Sequence, residues 1–339
     1  MRALLLGARG AVGAVVHREL ERDGAAVTAA SRTAAGDAGV DLRGDLAPLT
    51  RLAAAHDVVI NASGIERADL AGAAGRTPLV DISATGAYLA ELGGKAVGPV
   101  VLGAGLAPGL STVLAHALGA DPADEVDILV MLGTGERHGP AAVAWTAGLV
   151  GRDVYQPPEG RPVRNLRERI REQGPDGRTR LYLRADFPDH ILLGGAKRPL
   201  IRSYLTLGSA AMTTALGIVG RVPALRGALN AAPHLGSDAW HVIARNRRTG
   251  DRRQASGNGQ SEATGRLTAL AATRVAASSD AVGVVTMADL VSLEEAVTVL
   301  RSLGRQPCAA QSSSTEMTSR PSESSTSTSR PSSRTTETS

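Results

Sequence analysis

The chain opens with an apolar run, Ala3-Leu4-Leu5-Leu6, that breaks into Gly7-Ala8-Arg9-Gly10-Ala11-Val12-Gly13. Val12, Val15, Val16 and Leu20 then fall at helical spacing. A buried-type strand, a glycine turn and an amphipathic helix, in that order, point to a dinucleotide-binding unit. Each glycine has an expected job. Gly7 turns the chain sharply off the strand, Gly10 clears the backbone for a pyrophosphate, and Gly13 lets the helix sit close on the sheet. The helix's unpaired N–H groups and positive dipole end would face the phosphates, so Ala8, Arg9, Ala11 and Val12 join the glycines as candidate cofactor contacts. The spacing is G-x-x-G-x-x-G rather than G-x-G-x-x-G, so the position between strand and helix carries the reading. The alternative is a tight turn with no ligand.

The first helix should end at Asp23-Gly24, and Ala25 to Ala30 reads as a second strand. It runs into Ser31-Arg32-Thr33, where an NAD site carries an acidic residue for the ribose 2′-hydroxyl. A guanidinium between two hydroxyls suits the 2′-phosphate of NADP instead. An ordinary exposed arginine is the bland alternative. Val40-Asp41-Leu42 reads as a short third strand, with Gly44-Asp45-Leu46 following where an adenine would lie. A helix over 48–55 leads to the buried-type strand Asp57-Val58-Val59-Ile60. Its end, Asn61-Ala62-Ser63-Gly64, is small enough for a nicotinamide-side ribose to lie over it. Further strands are expected at 79–83, ending in Asp81 and Ser83, and at 99–102. This pace of strands and helices predicts a doubly wound parallel sheet, with ligands at the carboxyl ends of its strands.

After about residue 119 the pattern changes. Residues 126–132, 181–184, 201–207 and 240–246 read as strands, and several alternate apolar with polar, as in a mostly antiparallel sheet with one covered face. The arginine-rich stretch 155–177 reads as a partly helical surface excursion. Helices are expected over 261–277 and 292–303, the second opened by a Ser292/Glu295 capping box. The expected organisation is an α/β unit over 1–119 and an α+β unit over 120–306. Residues 307–339 are Ser, Thr, Arg and Pro with almost no apolar side chains, and are expected to be disordered.

Composition narrows the function. The net charge is only +4, with no basic block interleaved with aromatics, so nucleic acid is not an expected partner. One cysteine, Cys308, excludes a disulfide framework, and no His, Cys or acidic spacing suggests a metal. No apolar run is long enough to span a membrane, and the expected location is cytoplasmic.

The chain resembles the saccharopine dehydrogenase-like family of NADP-binding oxidoreductases. The residues that carry the resemblance are Gly7 to Gly13, Ser31-Arg32-Thr33, Asp57 to Asn61, Val80 to Ser83, and above all Gly105-Leu106-Ala107-Pro108-Gly109-Leu110-Ser111. The last is similar to the family's Gly-x-x-Pro-Gly loop, and Gly257 to Gly265 and Gly283 to Thr286 extend the likeness to about residue 305. The resemblance implies an NADP-binding Rossmann domain, then an α+β domain that shapes the pocket for a small-molecule substrate and pairs subunits into a homodimer. It fixes no reaction beyond hydride transfer to or from an imine, carbonyl or activated alkene.

Such chemistry needs a proton donor near the strand ends. His138, in the loop Gly133 to Gly139, has the right group, as does Tyr88; Asp81 could orient a substrate or cap a helix. A loop histidine bonded to backbone is the plain alternative for His138. The cluster Arg161, Arg164, Arg167, Arg169 and Arg171 could receive an anion or form a solvated face. No Tyr-x-x-x-Lys pair is present. The second functional class left open is a protein that binds NADP without turning it over.

Overall fold

In the computed structural model the described residues are 1–136, 140–195, 198–231, 236–278 and 283–301. The chain alternates β1 (Arg2–Leu6), α1 (Ala11–Arg22), β2 (Ala26–Ala30), α2 (Ala47–Ala53), β3 (Val58–Asn61), α3 (Asp69–Ala74), β4 (Leu79–Asp81), α4 (Gly86–Gly94), β5 (Val100–Leu102) and α5 (Leu110–His116). It then builds β6 (Glu125–Leu132), α6 (Pro140–Leu149), β7 (Arg169–Gln173), β8 (Thr179–Arg184), α7 (Asp189–Leu192), β9 (Leu200–Leu207), α8 (Ala210–Arg221), β10 (Ala239–Asn246) and β11 (Arg252–Asn258). The last described elements are α9 (Gln260–Ala277), β12 (Val284–Thr286), α10 (Met287–Leu290) and α11 (Leu293–Arg301). Among the described residues no helix is long and apolar enough to cross a membrane.

The first sheet is all parallel, in the order β12-β5-β4-β3-β1-β2. Its strands are apolar on both faces because helices cover both. Leu4 and Leu6 of β1 point into a core with Leu49, Leu70 and Leu89 from α2, α3 and α4. Ala3 and Leu5 point the other way, against Val16 and Leu20 of α1 and Ala271 and Val275 of α9. This is the doubly wound sheet that the strand and helix pattern predicts.

The second sheet has the order β11-β10-β6-β9-β8-β7, antiparallel except for the β6–β9 pair. Val126, Ile128 and Val130 alternate into a core with Ile201, Leu205, Val242 and Leu216, while the opposite face carries Glu125, Asp127, Arg202 and Tyr204. The α+β expectation holds.

Three local expectations change. Val40-Asp41-Leu42 is not a strand: a single parallel bridge, Ser31 to Gly39, is all that pairs there. Asp41 takes the Arg43 N–H on Oδ1 at 3.0 Å and the Gly44 N–H on its carbonyl at 3.1 Å, turning the chain away from β2. The stretch 155–177 contains no helix, and its end pairs as β7. Residues 260–290, read with the second unit, divide between the two sheets. Ala263 and Leu267 of α9 enter the second core, whereas Ala269 to Val275 and the parallel strand β12 belong to the first. The Ser292 and Glu295 capping box forms, each side chain bonding the other's backbone N–H. The tail from Pro307 lies outside the described residues.

Helices α1 and α9 approach closely because Gly265 has no side chain: a Cβ there would lie 2.5 Å from Val15 Cβ and 3.0 Å from Val12 O. Arg18 also reaches Glu262 across the pair, at 2.5 Å. We expect Gly265→Ala to cost about 1–3 kcal/mol, read by urea unfolding. A neutral Gly265→Ala would show that the helices are free to separate.

Candidate functional site

The order of the first sheet reverses at β1, which has β2 on one side and β3 on the other. A crevice therefore opens at the carboxyl ends of β1 and β3, the position where parallel α/β sheets bind ligands. The glycine loop occupies it. Gly7 has φ +89°, and a Cβ there would sit 2.5 Å from the Ala62 carbonyl oxygen. At Gly13 a Cβ would lie 2.1 Å from the Gly7 oxygen, so this glycine seats the helix on the turn, whereas the sequence points to a seat on the sheet. Gly10 differs. Its Cβ would meet nothing closer than the Gly7 oxygen at 3.4 Å, and the residue is exposed. Gly10 is also the N-cap of α1, without a side chain to bond the first turn, so the leading N–H groups of α1 have no side-chain cap. Ala8 and Val12 are half-buried, and Arg9 and Ala11 exposed.

At the end of β2, Ser31 is tied by its backbone: its N–H reaches the Ala38 carbonyl and its carbonyl accepts from Val40, both at 3.1 Å. Arg32 and Thr33 are exposed, and Arg32 has no hydrogen-bond or ion-pair partner among the described residues. Asp45 takes the N–H of Ala47, the first residue of α2, at 3.0 Å.

Four of the candidates fall into one network. The Asn61 amide donates to Asp81 Oδ2 at 2.8 Å and to the Ile65 carbonyl at 3.1 Å, while its oxygen accepts from the Ser63 hydroxyl at 2.6 Å. Gly64, with φ +71°, lets the chain reverse between Ser63 and Ile65. The Tyr88 hydroxyl donates to the same Asp81 oxygen at 2.7 Å, and the Ser83 N–H satisfies the other. The Asp81 carbonyl receives the N–H groups of Gly103 and Ala104, so this network also anchors the loop after β5. Burial pushes the Asp81 carboxyl up from the usual carboxylate range, against the pull of its donors. Burial and then the neighbouring Asp81 charge push Tyr88 above the ordinary tyrosine range. Both side chains are buried, and the tyrosine's proton is directed at the carboxylate.

The second half of the chain closes over the end of β4 with residues that sequence reading did not single out. Trp145 of α6 donates its indole N–H to the Ala84 carbonyl at 3.1 Å. Tyr155 packs its ring against Gly86, the first residue of α4. Its backbone is clamped at both ends, the N–H on Asp186 at 3.0 Å and the carbonyl 2.7 Å from His190 Nε2. Fully buried Asp189 accepts from Ser111 at 2.5 Å and Ser203 at 3.0 Å, joining the Gly105–Ser111 loop to β9. His138 lies outside the described residues. Of the arginine cluster, Arg161 and Arg169 line a cavity of about 280 Å³ on the charged face of the second sheet, with Arg202, Arg247 and Glu159. Residue spacing could not reveal this arrangement, since 145 and 155 meet 84–86, and 190 meets 155, only through the tertiary fold.

No family model matches the chain, and no curated protein matches it. Solved structures similar to it include a probable aspartate-semialdehyde dehydrogenase from Pseudomonas aeruginosa, at 13% identity and TM-score 0.32 over 74% of this chain and 75% of that one. A protein from Magnetospirillum magnetotacticum assigned as an oxidoreductase has 14% identity and TM-score 0.35 over 89% and 97%. Aspartate semialdehyde dehydrogenase II from Vibrio cholerae has 11% identity and TM-score 0.29 over 73% and 74%. Two of the three are named for aspartate semialdehyde and none for saccharopine. At such scores these likenesses carry no argument about activity.

Two outcomes follow from the geometry. Gly13→Ala should cost more than about 3 kcal/mol, because its methyl meets backbone, whereas Gly10→Ala should cost about 1 kcal/mol or less; parallel thermal melts decide it. The Asp81 network predicts a pH dependence. A raised native pKa means the folded state holds that proton more tightly than the unfolded chain. Stability therefore falls as pH rises through the window that begins at the ordinary carboxylate range. Removing the Tyr88 hydroxyl takes away a donor to the carboxylate and widens that window. Tyr88→Phe should cost about 1–3 kcal/mol at about pH 8 and less at about pH 5, by urea unfolding. A loss independent of pH would uncouple the two residues.

Proposed function

We propose that the chain is an NADP-dependent oxidoreductase of saccharopine dehydrogenase-like type acting on a small metabolite. The observation that carries this reading is the open face of Gly10 at the switch point of a parallel sheet, beside uncapped N–H groups of α1. A dinucleotide fits these residues. The Gly10–Gly13 backbone would take the pyrophosphate, with exposed Arg9 beside it. Ser31, Arg32 and Thr33 would hold the 2′-phosphate, and Arg32 has no competing partner among the described residues to give up. The turn around Asp45 would border the adenine, and Ala62, Ser63 and Gly64 would lie under the second ribose. When bound, the dihydronicotinamide supplies a hydride. Asn61, Asp81 and Tyr88 act in this reading by fixing the ends of β3 and β4, which keeps the ribose platform rigid.

One observation favours the second reading, an NADP-binding sensor without turnover: the hydroxyl of Tyr88 is directed at Asp81 and both residues are buried. Substrate-dependent NADPH oxidation in a panel of carbonyls and imines separates the two.

Cofactor choice tests the site itself. A guanidinium–phosphate contact in this exposed position should be worth about tenfold in affinity. We expect Arg32→Ala to weaken NADPH about tenfold, leave NADH nearly unchanged, and remove the salt sensitivity of the preference, by calorimetric titration. Gly10→Val should abolish binding of both cofactors with the fold intact. Equal losses of NADH and NADPH in Arg32→Ala would make Arg32 a surface residue.

A further inference from the structure

The chain has only two Trp, four Tyr and one Phe, and four of these seven rings gather at one place. Tyr88 bonds Asp81 at the end of β4, Trp145 bonds Ala84 just beyond it, Tyr155 lies on Gly86, and Phe187 packs at a tilt against Trp145 with ring centroids 4.7 Å apart. Pro188 and Ile191 complete the contact with Gly86. In a protein otherwise built from Ala, Val and Leu, this concentration of aromatic surface sits at the carboxyl edge of the first sheet. It lies two strands from β1, about 10 Å along the sheet. If the 2′-phosphate end lies toward β2, the nicotinamide end must run the opposite way, over β3 toward β4.

Three carboxyls stand around these rings, and the two basic groups near them, His190 and Arg184, are already engaged: both His190 ring nitrogens lie on carbonyls, Nδ1 3.2 Å from Phe187 and Nε2 2.7 Å from Tyr155. Asp81, Asp186 and Glu66, which bonds Thr85, are each pushed up by burial toward their neutral forms. Arg184, whose charge reaches Asp186, is fully buried and gives its Nη groups to the Ala185 and Ser203 carbonyls and to Glu159. No guanidinium or ammonium among the described residues bonds the 82–86 loop. A carboxylate on a substrate would find no unengaged cation among the described residues here. Tyr155 is different from Tyr88. It is half-buried, its oxygen accepts from Gln156 at 3.1 Å, and its own O–H has no acceptor among the described residues. Its bonds to Asp186 and His190 hold its backbone, and the ring rests against Gly86.

Resting on the dinucleotide reading, we propose that the β4 end is the substrate subsite. It takes an uncharged carbonyl compound with a flat apolar group, held on Trp145 and hydrogen-bonded at its carbonyl oxygen by Tyr155. The test is calorimetry on the full chain saturated with NADP+, using benzylacetone and benzylpyruvate, which share a skeleton and differ in the carboxylate. Benzylacetone should bind about tenfold or more tightly than benzylpyruvate. Tyr155→Phe, which keeps the ring, should weaken benzylacetone about tenfold without changing NADP+ affinity. Trp145→Phe, with a melting curve to confirm folding, should also weaken it. Tighter binding of benzylpyruvate, binding of neither compound, or a Tyr155→Phe protein that binds benzylacetone unchanged overturns the proposal. A normal NADP+ isotherm alongside those results leaves the cofactor reading standing. Absence of NADP+ binding overturns both.

Discussion

The approach of Gly7 to the Ala62 carbonyl is the contact on which the rest of the candidate site depends. Two parallel strands end side by side at the switch point, and their loops can touch only because one of them has no side chain. Once they touch, the turn of the glycine loop, the seat of Gly13 on Gly7 and the start of α1 at Gly10 are set together. Gly265 does the same on the outer side, letting α9 lie against α1 and so binding the late part of the chain to the first sheet. Backbone proximity, rather than side-chain chemistry, shapes this half of the molecule.

Side-chain chemistry shapes the other half of the site. Asp81 is a fully buried carboxyl with three donors around it, and its own carbonyl anchors the loop after β5. A buried carboxylate is costly unless such donors are present, so the network holds the strand ends in one arrangement. The aromatic residues of the second unit then bear on the segment 84–86 that this network holds.

The first sheet was legible in the sequence because its signals are local: apolar runs of strand length, glycine turns, helical spacing. The failures have physical causes. Val40 to Leu42 has the composition of a strand, yet the Asp41 turn draws the chain away after one bridge. β7 is an edge strand whose arginine-rich sequence, Arg169 to Gln173, hides its alternation. β12 is three residues long and joins a sheet begun almost three hundred residues earlier, which no local pattern encodes. At the site, Asn61, Ser63, Asp81 and Tyr88 were all visible as polar groups near strand ends, but their mutual bonding was not. Trp145, Tyr155 and His190 carry no motif, and what could have drawn notice to the first two was the scarcity of aromatic residues.

The central claim is that a dinucleotide lies across the carboxyl ends of β2, β1 and β3. Amide hydrogen exchange with and without NADPH tests it directly, since a bound ligand slows exchange where it covers or rigidifies backbone. The account predicts protection at 7–13, 31–33 and 61–64, with the second sheet largely unchanged. Protection confined to the charged face of the second sheet, or no protection at 7–13, would contradict it.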